Sequence, residues 1–331
     1  MTITAYARDK GIGHLPGWKW TRRYTKNEKK FVRMIKIFKA QAKKFGKRYK
    51  FGARVPNSVR EALEIDKENG NNLWKEAIEK EIGQLFAYDT FTILDLGEKA
   101  PEGYKRIPYL GVFDVKFDLR RKYRICAGGH KTDPPKEDMY SGVVGIEAIR
   151  LLFLIASLNK DQLCAGDISN AYLYAKCREK LYVVAREDFG EHCGKVLIVY
   201  KSWYGLKTSA AAWAEHFAKS LMKIGFEPSK ADPNIWMRKK GSRYEYVATY
   251  VDDTLACSQD VVALMKEIQA TYDMKGVGTL VYYLGGDVVD ISKLWATEGL
   301  VVALSAQTYI CLLYTSPSQR DKRQSRMPSS A

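Results

Sequence analysis

No stretch of this 331-residue chain reaches the ~18 uninterrupted apolar residues that a membrane-spanning helix needs; the best run, residues 151–158, is too short. The basic N-terminus is not followed by an apolar segment and does not read as a secretory leader. An intracellular protein that does not engage a membrane is therefore the expectation. The six cysteines (Cys126, Cys164, Cys177, Cys193, Cys257, Cys311) include no Cys-x-x-Cys pair, and the four histidines lack ligand spacing. Cys193 follows His192 directly, which does not match a loop wrapped around a tetrahedral zinc. Reduced thiols are the reading. Acidic residues are almost missing from residues 1–60, which hold 18 Lys and Arg against Asp9 and Glu28, so the whole net charge of +16 sits there. With Trp18, Trp20, Tyr24, Phe31, Phe38 and Tyr49 interleaved, such an arm suits a phosphate backbone and stacking on bases, or else is a solvated linker.

What is present suffices for a core: 46% of residues are hydrophobic and 12% aromatic. Phe31, Met34, Ile35 and Phe38 recur at helical spacing over 27–45, and Gly46 would end that helix. A second apolar stripe, Trp74, Ala77, Ile78, Ile82, Leu85 and Phe86, follows Asn72 as its cap. Strands are expected over 91–96, 109–119 and 123–127, the last two joined by the basic turn Arg120-Arg121-Lys122. A buried helix over 147–159 precedes strands over 162–168, 180–185 and 195–200. Thr208 can cap a helix to Ile224, with Gly225 as its stop. Two apolar strands over 244–258 flank Asp252-Asp253, and a helix over 260–272 and a strand over 281–291 follow. Helices and strands mix without a βαβ or internal repeat, which indicates an α+β fold.

Two acidic clusters stand in an unusual context. Asp167 follows Leu163-Cys164-Ala165-Gly166 and precedes Ile168, at the end of an apolar strand. Asp252 and Asp253 follow Ala248-Thr249-Tyr250-Val251 and precede Thr254-Leu255-Ala256, which puts two like charges at a hairpin tip. Such charges raise each other's pKa unless a cation neutralises them, so a divalent metal site is the economical explanation. Tyr-x-Asp-Asp by itself is only a short motif.

The surroundings add specificity. Residues 163–174, with the core Gly166-Asp167-Ile168-Ser169-Asn170-Ala171-Tyr172-Leu173, resemble the first palm motif of copia-class LTR-retrotransposon reverse transcriptases. Lys201-Ser202-Trp203-Tyr204-Gly205-Leu206-Lys207 resembles the second and Tyr250-Val251-Asp252-Asp253 the third. Residues 122–130 resemble the fingers segment and Tyr283-Leu284-Gly285 the primer grip, in matching order over about residues 71–310. Trp203 departs from the usual leucine, and Thr208-Ser209-Ala210-Ala211-Ala212-Trp213 from the commoner Gln-Ala-Pro-Arg-x-Trp.

The resemblance implies a right-hand polymerase fold: a basic arm over 1–70, fingers over 71–160, a palm over 161–291 and the start of a thumb or connection over 292–310. It implies two Mg²⁺ ions, with Mn²⁺ as a substitute, held by Asp167, Asp252, the Ile168 carbonyl and, secondarily, Asp253. Tyr172 would exclude a ribonucleotide's 2′-hydroxyl. Arg124, with Lys116 and Lys122, would hold the triphosphate, where a guanidinium fork suits phosphate. Lys275 would protonate the leaving pyrophosphate. Gly205 would admit the nascent base pair, and Tyr204, Lys207, Tyr250, Val251, Tyr283, Leu284 and Gly285 would meet template and primer. Partners are then an RNA template, a DNA or RNA primer and dNTPs, and the place of action a cytoplasmic virus-like particle or the nucleus. Residues 311–321 (CLLYTSPSQRD) break the pattern and read as translated library adapter, followed by an aperiodic tail to Ala331. The expectation is a chain cut within the thumb, lacking the RNase H and integrase regions. Two other readings stay open: a silent fragment that only binds nucleic acid, and a two-metal nuclease.

Overall fold

The computed structural model describes residues 48–116, 118–133, 141–284, 286–290 and 302–305. The helix expected over 27–45, most of the arm, most of the thumb segment and the tail from 311 lie outside the described residues. The chain divides into two compact units, Met1–Ile78 with Gly111–Arg124, and Glu79–Leu110 with Ile125–Ala331. These limits fall elsewhere than the boundaries at 70, 160 and 291 expected from the sequence.

In the first unit a hairpin of β1 (Arg48–Lys50) and β2 (Ala53–Val55) leads into α1 (Val59–Asn69), a helix within the segment expected to be arm. Its start is a reciprocal cap: the Ser58 hydroxyl accepts the Glu61 N–H at 3.1 Å, and the Glu61 carboxylate accepts the Asn57 N–H at 2.8 Å. Gly70, at φ +64°, ends it. Next, α2 (Leu73–Ala87) matches the expected helix, but its cap differs from the expected Asn72 side chain. The buried Asp66 carboxylate takes the N–H groups of Trp74 at 3.0 Å and Lys75 at 2.9 Å, placing negative charge on the positive end of the helix. Trp74 meets Phe113 edge to face, ring centroids 5.6 Å apart.

Further along come β3 (Phe91–Ile93), β4 (Lys105–Arg106), the two-stranded ribbon of β5 (Tyr109–Val115) and β6 (Arg121–Ala127), and α3 (Ile146–Asn159). Then β7 (Gln162–Ile168), β8 (Lys176–Val184) and β9 (Val196–Lys201) precede α4 (Ser209–Lys223). The remainder is β10 (Glu227–Pro228), β11 (Ile235–Lys240), β12 (Arg243–Tyr250), β13 (Asp253–Ser258), α5 (Val261–Gln269), β14 (Met274–Thr279), β15 (Tyr282–Tyr283), β16 (Gly286–Asp290) and β17 (Val302–Ser305). The strand expected over 281–291 is thus broken in two, with Leu284 at φ +46° in the break.

The second unit is built on a six-stranded antiparallel sheet in the order β10-β11-β12-β13-β7-β14. Side chains alternate between its faces, and both faces are covered. Cys164, Ile168, Val247 and Ala256 join Trp213, Phe217, Leu221, Leu264 and Met265 of α4 and α5 in one core. Ala248, Leu255 and Cys257 join Ile149, Leu152, Phe153 and Ala156 of α3 in the other. Apolar residues are therefore needed at consecutive positions, as in Tyr246-Val247-Ala248 of β12 and Leu255-Ala256-Cys257 of β13. A four-stranded sheet β3-β9-β8-β4 and a three-stranded sheet β15-β16-β17 complete the unit. The α+β class expected from the sequence is the one found.

Helix α4 ends as expected, with Gly225 at φ +87°. Its beginning does not: Thr208 occupies the cap position, but its hydroxyl donates to the Glu179 carboxylate at 2.7 Å. Ser209 instead closes the preceding loop, donating to the Trp203 carbonyl at 2.7 Å and accepting the Trp203 N–H at 3.0 Å.

Candidate active site

The two acidic clusters, far apart in sequence, meet through strand register. In the β13–β7 ladder Asp253 stands directly opposite Asp167, and on the other side of β7 Lys275 of β14 stands opposite the same Asp167. Directly opposed residues of antiparallel strands project from the same face with Cβ atoms roughly 4.5–5.5 Å apart. Asp253, Asp167 and Lys275 thus form a row across three strands. Asp252 precedes it in the turn that joins Tyr250 to its cross-strand partner Asp253.

That turn is strained. Val251, a β-branched residue, sits at φ +58°, and only Val251 of the two turn residues has positive φ, the pattern of a type II′ hairpin in which glycine is usual. Such a conformation costs on the order of 1–3 kcal/mol and persists only where neighbours enforce it. Both turn carbonyls are tied: the Trp213 indole N–H donates to the Val251 carbonyl at 2.7 Å, and the Ile168 N–H donates to the Asp252 carbonyl at 2.9 Å. Val251 itself packs on the core under α4. On the far side of β7, the Ser169 N–H donates to the Asp273 carbonyl at 2.8 Å.

The electrostatics follow from crowding acids. Burial first, and the charges of Asp252 and Asp167 second, push the Asp253 carboxyl up to about 6. Tyr172 is half-buried in the 3₁₀ turn Ala171–Tyr174; burial and, after it, the charge of Asp252 raise its hydroxyl. Its ring leans on that of Tyr204, centroids 4.8 Å apart. Tyr174, by contrast, faces the aromatic core: its ring lies edge-on to Tyr272 at 4.9 Å, and its hydroxyl accepts the Asp273 N–H at 2.8 Å. Both tyrosines also pack on the core that α4 and α5 cover.

The chemistry of this donor set, carboxylate oxygens carrying excess negative charge, suits a hard divalent cation. Among the described residues, no group of three or more His, Cys, Asp or Glu side chains is gathered into a finished cage. Magnesium commonly takes only one or two protein carboxylates and completes its shell with water and substrate phosphates, so an open acidic row fits it better than a closed cage would.

Other expected site residues fall in varied places. Lys275 is exposed. Tyr250 is 37% exposed beside the turn. The Lys207 ammonium donates to the Thr132 carbonyl at 3.0 Å. At φ +94°, Gly205 lies so close to Ala127 that a Cβ would overlap its carbonyl oxygen, and the Ala127 N–H donates to the Tyr204 carbonyl at 2.6 Å. Protein packing alone thus demands glycine there. Tyr283 is only 7% exposed and packs in the core under α3, so its side chain is not offered to a primer. Leu284 is half-buried, and Gly285 lies outside the described residues. Lys116, Lys122 and Arg124 belong to the first unit, where Arg124 is on the exposed side of β6 between buried Tyr123 and Ile125. Sequence reasoning missed Trp213 as an anchor of the turn; the tryptophan is visible there, but its partner is 38 residues away.

Comparison with known proteins identifies the family. The family model described as "Reverse transcriptase (RNA-dependent DNA polymerase)" matches residues 88–305. The "Retrovirus-related Pol polyprotein from transposon RE2" of Arabidopsis thaliana is 25% identical over 242 residues, covering 70% of this chain and 16% of that protein. A "Truncated transposon Ty1-A Gag-Pol polyprotein" of Saccharomyces cerevisiae is 31% identical over 209 residues, covering 60% of this chain and 17% of its own length. The chain thus spans about a sixth of these relatives. The solved structure of the foamy viral protease-reverse transcriptase dRH in complex with ds DNA is a distant likeness, 16% identical with a TM-score of 0.37, over 65% of this chain and 34% of that one. With its three motifs matched in order and the family model running from Tyr88 to Ser305, the chain belongs to the reverse transcriptase (RNA-dependent DNA polymerase) family, as a copia-class retrotransposon fragment.

Proposed function

We propose that this chain is the polymerase core of a retrotransposon reverse transcriptase, extending a DNA or RNA primer with deoxynucleotides on an RNA or DNA template. One observation carries the reading: cross-strand register sets Asp253 against Asp167, with Asp252 in the adjoining turn, and burial together with these neighbouring charges raises Asp253 to about 6. Asp167 and Asp252 would hold two Mg²⁺ ions, with Asp253 secondary, and the Ile168 carbonyl would add an oxygen ligand. Bound there, the ions make the primer 3′-hydroxyl a better nucleophile and stabilise charge on the triphosphate.

The protein's own groups orient and select. Tyr172, braced by Tyr204 and within reach of the charge of Asp252, would exclude a 2′-hydroxyl. Lys275, across from Asp167, would donate a proton to the departing pyrophosphate. Arg124, with Lys116 and Lys122, would grip the triphosphate, and Tyr204, Lys207 and Tyr250 would line the path of template and primer.

The test is Mg²⁺-dependent extension of oligo(dT) on poly(rA) by the full chain, beside a nuclease assay on the same duplex. Extension that Asp252→Asn and Asp167→Asn each reduce by at least ~100-fold supports the reading. Binding without extension would identify a silent fragment, and Mg²⁺-dependent cleavage without extension a nuclease.

A further inference from the structure

We infer that Trp213 is a positioning residue for the acidic turn: its indole N–H holds the strained Val251 peptide and so aims the carboxylates of Asp252 and Asp253. The inference rests on the two-metal reading of those carboxylates and adds to it the side chain that fixes them.

A valine at φ +58° leaves that conformation unless it is held. Of its tethers, the hydrogen bond from the Ile168 N–H to the Asp252 carbonyl belongs to the backbone, and any residue but proline at 168 would supply it. The tether on the Val251 carbonyl is different, because it comes from one side chain on α4. Trp213 is 1% exposed and clamped on several sides, stacked on Phe217 at 5.2 Å with an interplanar angle of 10° and edge-on to Tyr272 at 5.5 Å. Its N–H therefore points from a fixed place.

Burial alone does not call for this bond. Trp74 and Trp203 are as deeply buried, at 1% and 0% exposed, and their indole N–H groups have no partner among the described residues. Indole nitrogen is a donor only, so it suits a backbone carbonyl and cannot compete for a cation. Phenylalanine would fill much of the space and hold nothing. Catalytic groups displaced by about 1 Å can cost ~100-fold in rate, so loss of this tether should register at the metals and in turnover more than in stability.

Three forms of the full chain are compared with wild type: Trp213→Phe; Trp213→3-benzothienylalanine, which keeps the fused ring and exchanges N–H for sulfur; and Leu152→Ala of α3, in the core on the other face of the sheet, as a packing control. Mn²⁺ binding is read by electron paramagnetic resonance, extension of oligo(dT) on poly(rA) by kcat and KM for dTTP, and stability by melting temperature. Both Trp213 variants should bind Mn²⁺ at least ~3-fold more weakly and lose ~10-fold or more in kcat, with KM for dTTP within about twofold. Leu152→Ala should lower the melting temperature while Mn²⁺ affinity and kcat stay within about twofold. The benzothienyl form keeps the test valid if Trp213→Phe does not fold. Wild-type Mn²⁺ affinity and kcat in the benzothienyl form would overturn the positioning role and leave the two-metal reading standing. A wild-type chain that neither binds Mn²⁺ nor extends the primer would overturn both.

Discussion

Replacing Asp253 by asparagine should make the metal-free protein more stable at neutral pH. The carboxyl, ordinarily near 3.8, is raised to about 6 by burial and by the charges of Asp252 and Asp167. A group whose folded pKa is raised binds its proton more tightly in the folded state, so stability is greatest below about pH 4 and falls as pH rises through about 6. Above that, the charged form carries the full penalty. A rise from 3.8 to about 6 corresponds to roughly 3 kcal/mol at most, and partial solvent access brings this to about 1–2 kcal/mol. Asparagine keeps the shape and removes the charge. In a chain of this size that gain should raise the melting temperature by roughly 2–6 °C at pH 8 in EDTA, and by little at pH 4. Added Mg²⁺ should narrow the gap by stabilising wild type more than the variant, because asparagine has already removed part of the repulsion that the cation relieves. The assay is thermal unfolding of both proteins at pH 4 and pH 8, with EDTA and with Mg²⁺. Equal stabilities at pH 8 in EDTA, or a difference that does not change between pH 4 and pH 8, would refute the reasoning.

Four other outcomes are expected. Tyr172→Ala should raise ribonucleotide over deoxynucleotide incorporation by ~10-fold or more in paired extension assays, with deoxynucleotide synthesis retained; an unchanged ratio with a large loss of melting temperature would make the ring a core filler. Gly205→Ala should destabilise by about 2 kcal/mol or more in denaturant unfolding, because φ +94° and the Ala127 carbonyl both exclude a Cβ. Burial pushes the Glu245 carboxyl up, but the Ser258 hydroxyl, Lys240 and Arg238 outweigh that and hold it below the ordinary range. Its contribution is then complete above about pH 4.5 and is lost as pH falls through the lowered value, so Glu245→Gln should cost on the order of 2 kcal/mol at pH 7 and much less near pH 3 by denaturant unfolding. Ser58→Ala should cost about 1 kcal/mol through the lost α1 cap, with primer extension unchanged.

The parts of the site that are legible in the sequence are those where local pattern and tertiary role coincide. Residues 162–168 read as a strand ending in an acid, and β7 has those limits, because apolar residues that must cover both faces of a sheet leave a run that water-facing segments do not have. The hairpin of β12 and β13 is legible for the same reason, and its charged tip could only be a turn. Helix α1 is hidden by its own composition. Val59–Asn69 carries six charged residues among eleven and only Val59, Ala62, Leu63 and Ile65 to mark an apolar stripe, although Ser58, Glu61 and Gly70 spell out its start and stop.

Strand β14 shows what local pattern cannot reveal. Met274-Lys275-Gly276-Val277-Gly278-Thr279 has two glycines, no alternation and little strand propensity, so nothing marks it as a strand. It becomes one because β7 has an open edge, and Gly276, at φ +62°, takes up the register shift between Lys275 and Gly278. With the shift lying after Lys275, the lysine keeps its place opposite Asp167 while the strand beyond slips to pair Gly278 with Ala165. In the sequence Lys275 stands out only through the family resemblance. What brings it opposite Asp167 is a pairing that its own segment does not encode: the neighbouring acid-bearing strand supplies the edge, and the glycine supplies the freedom to follow it.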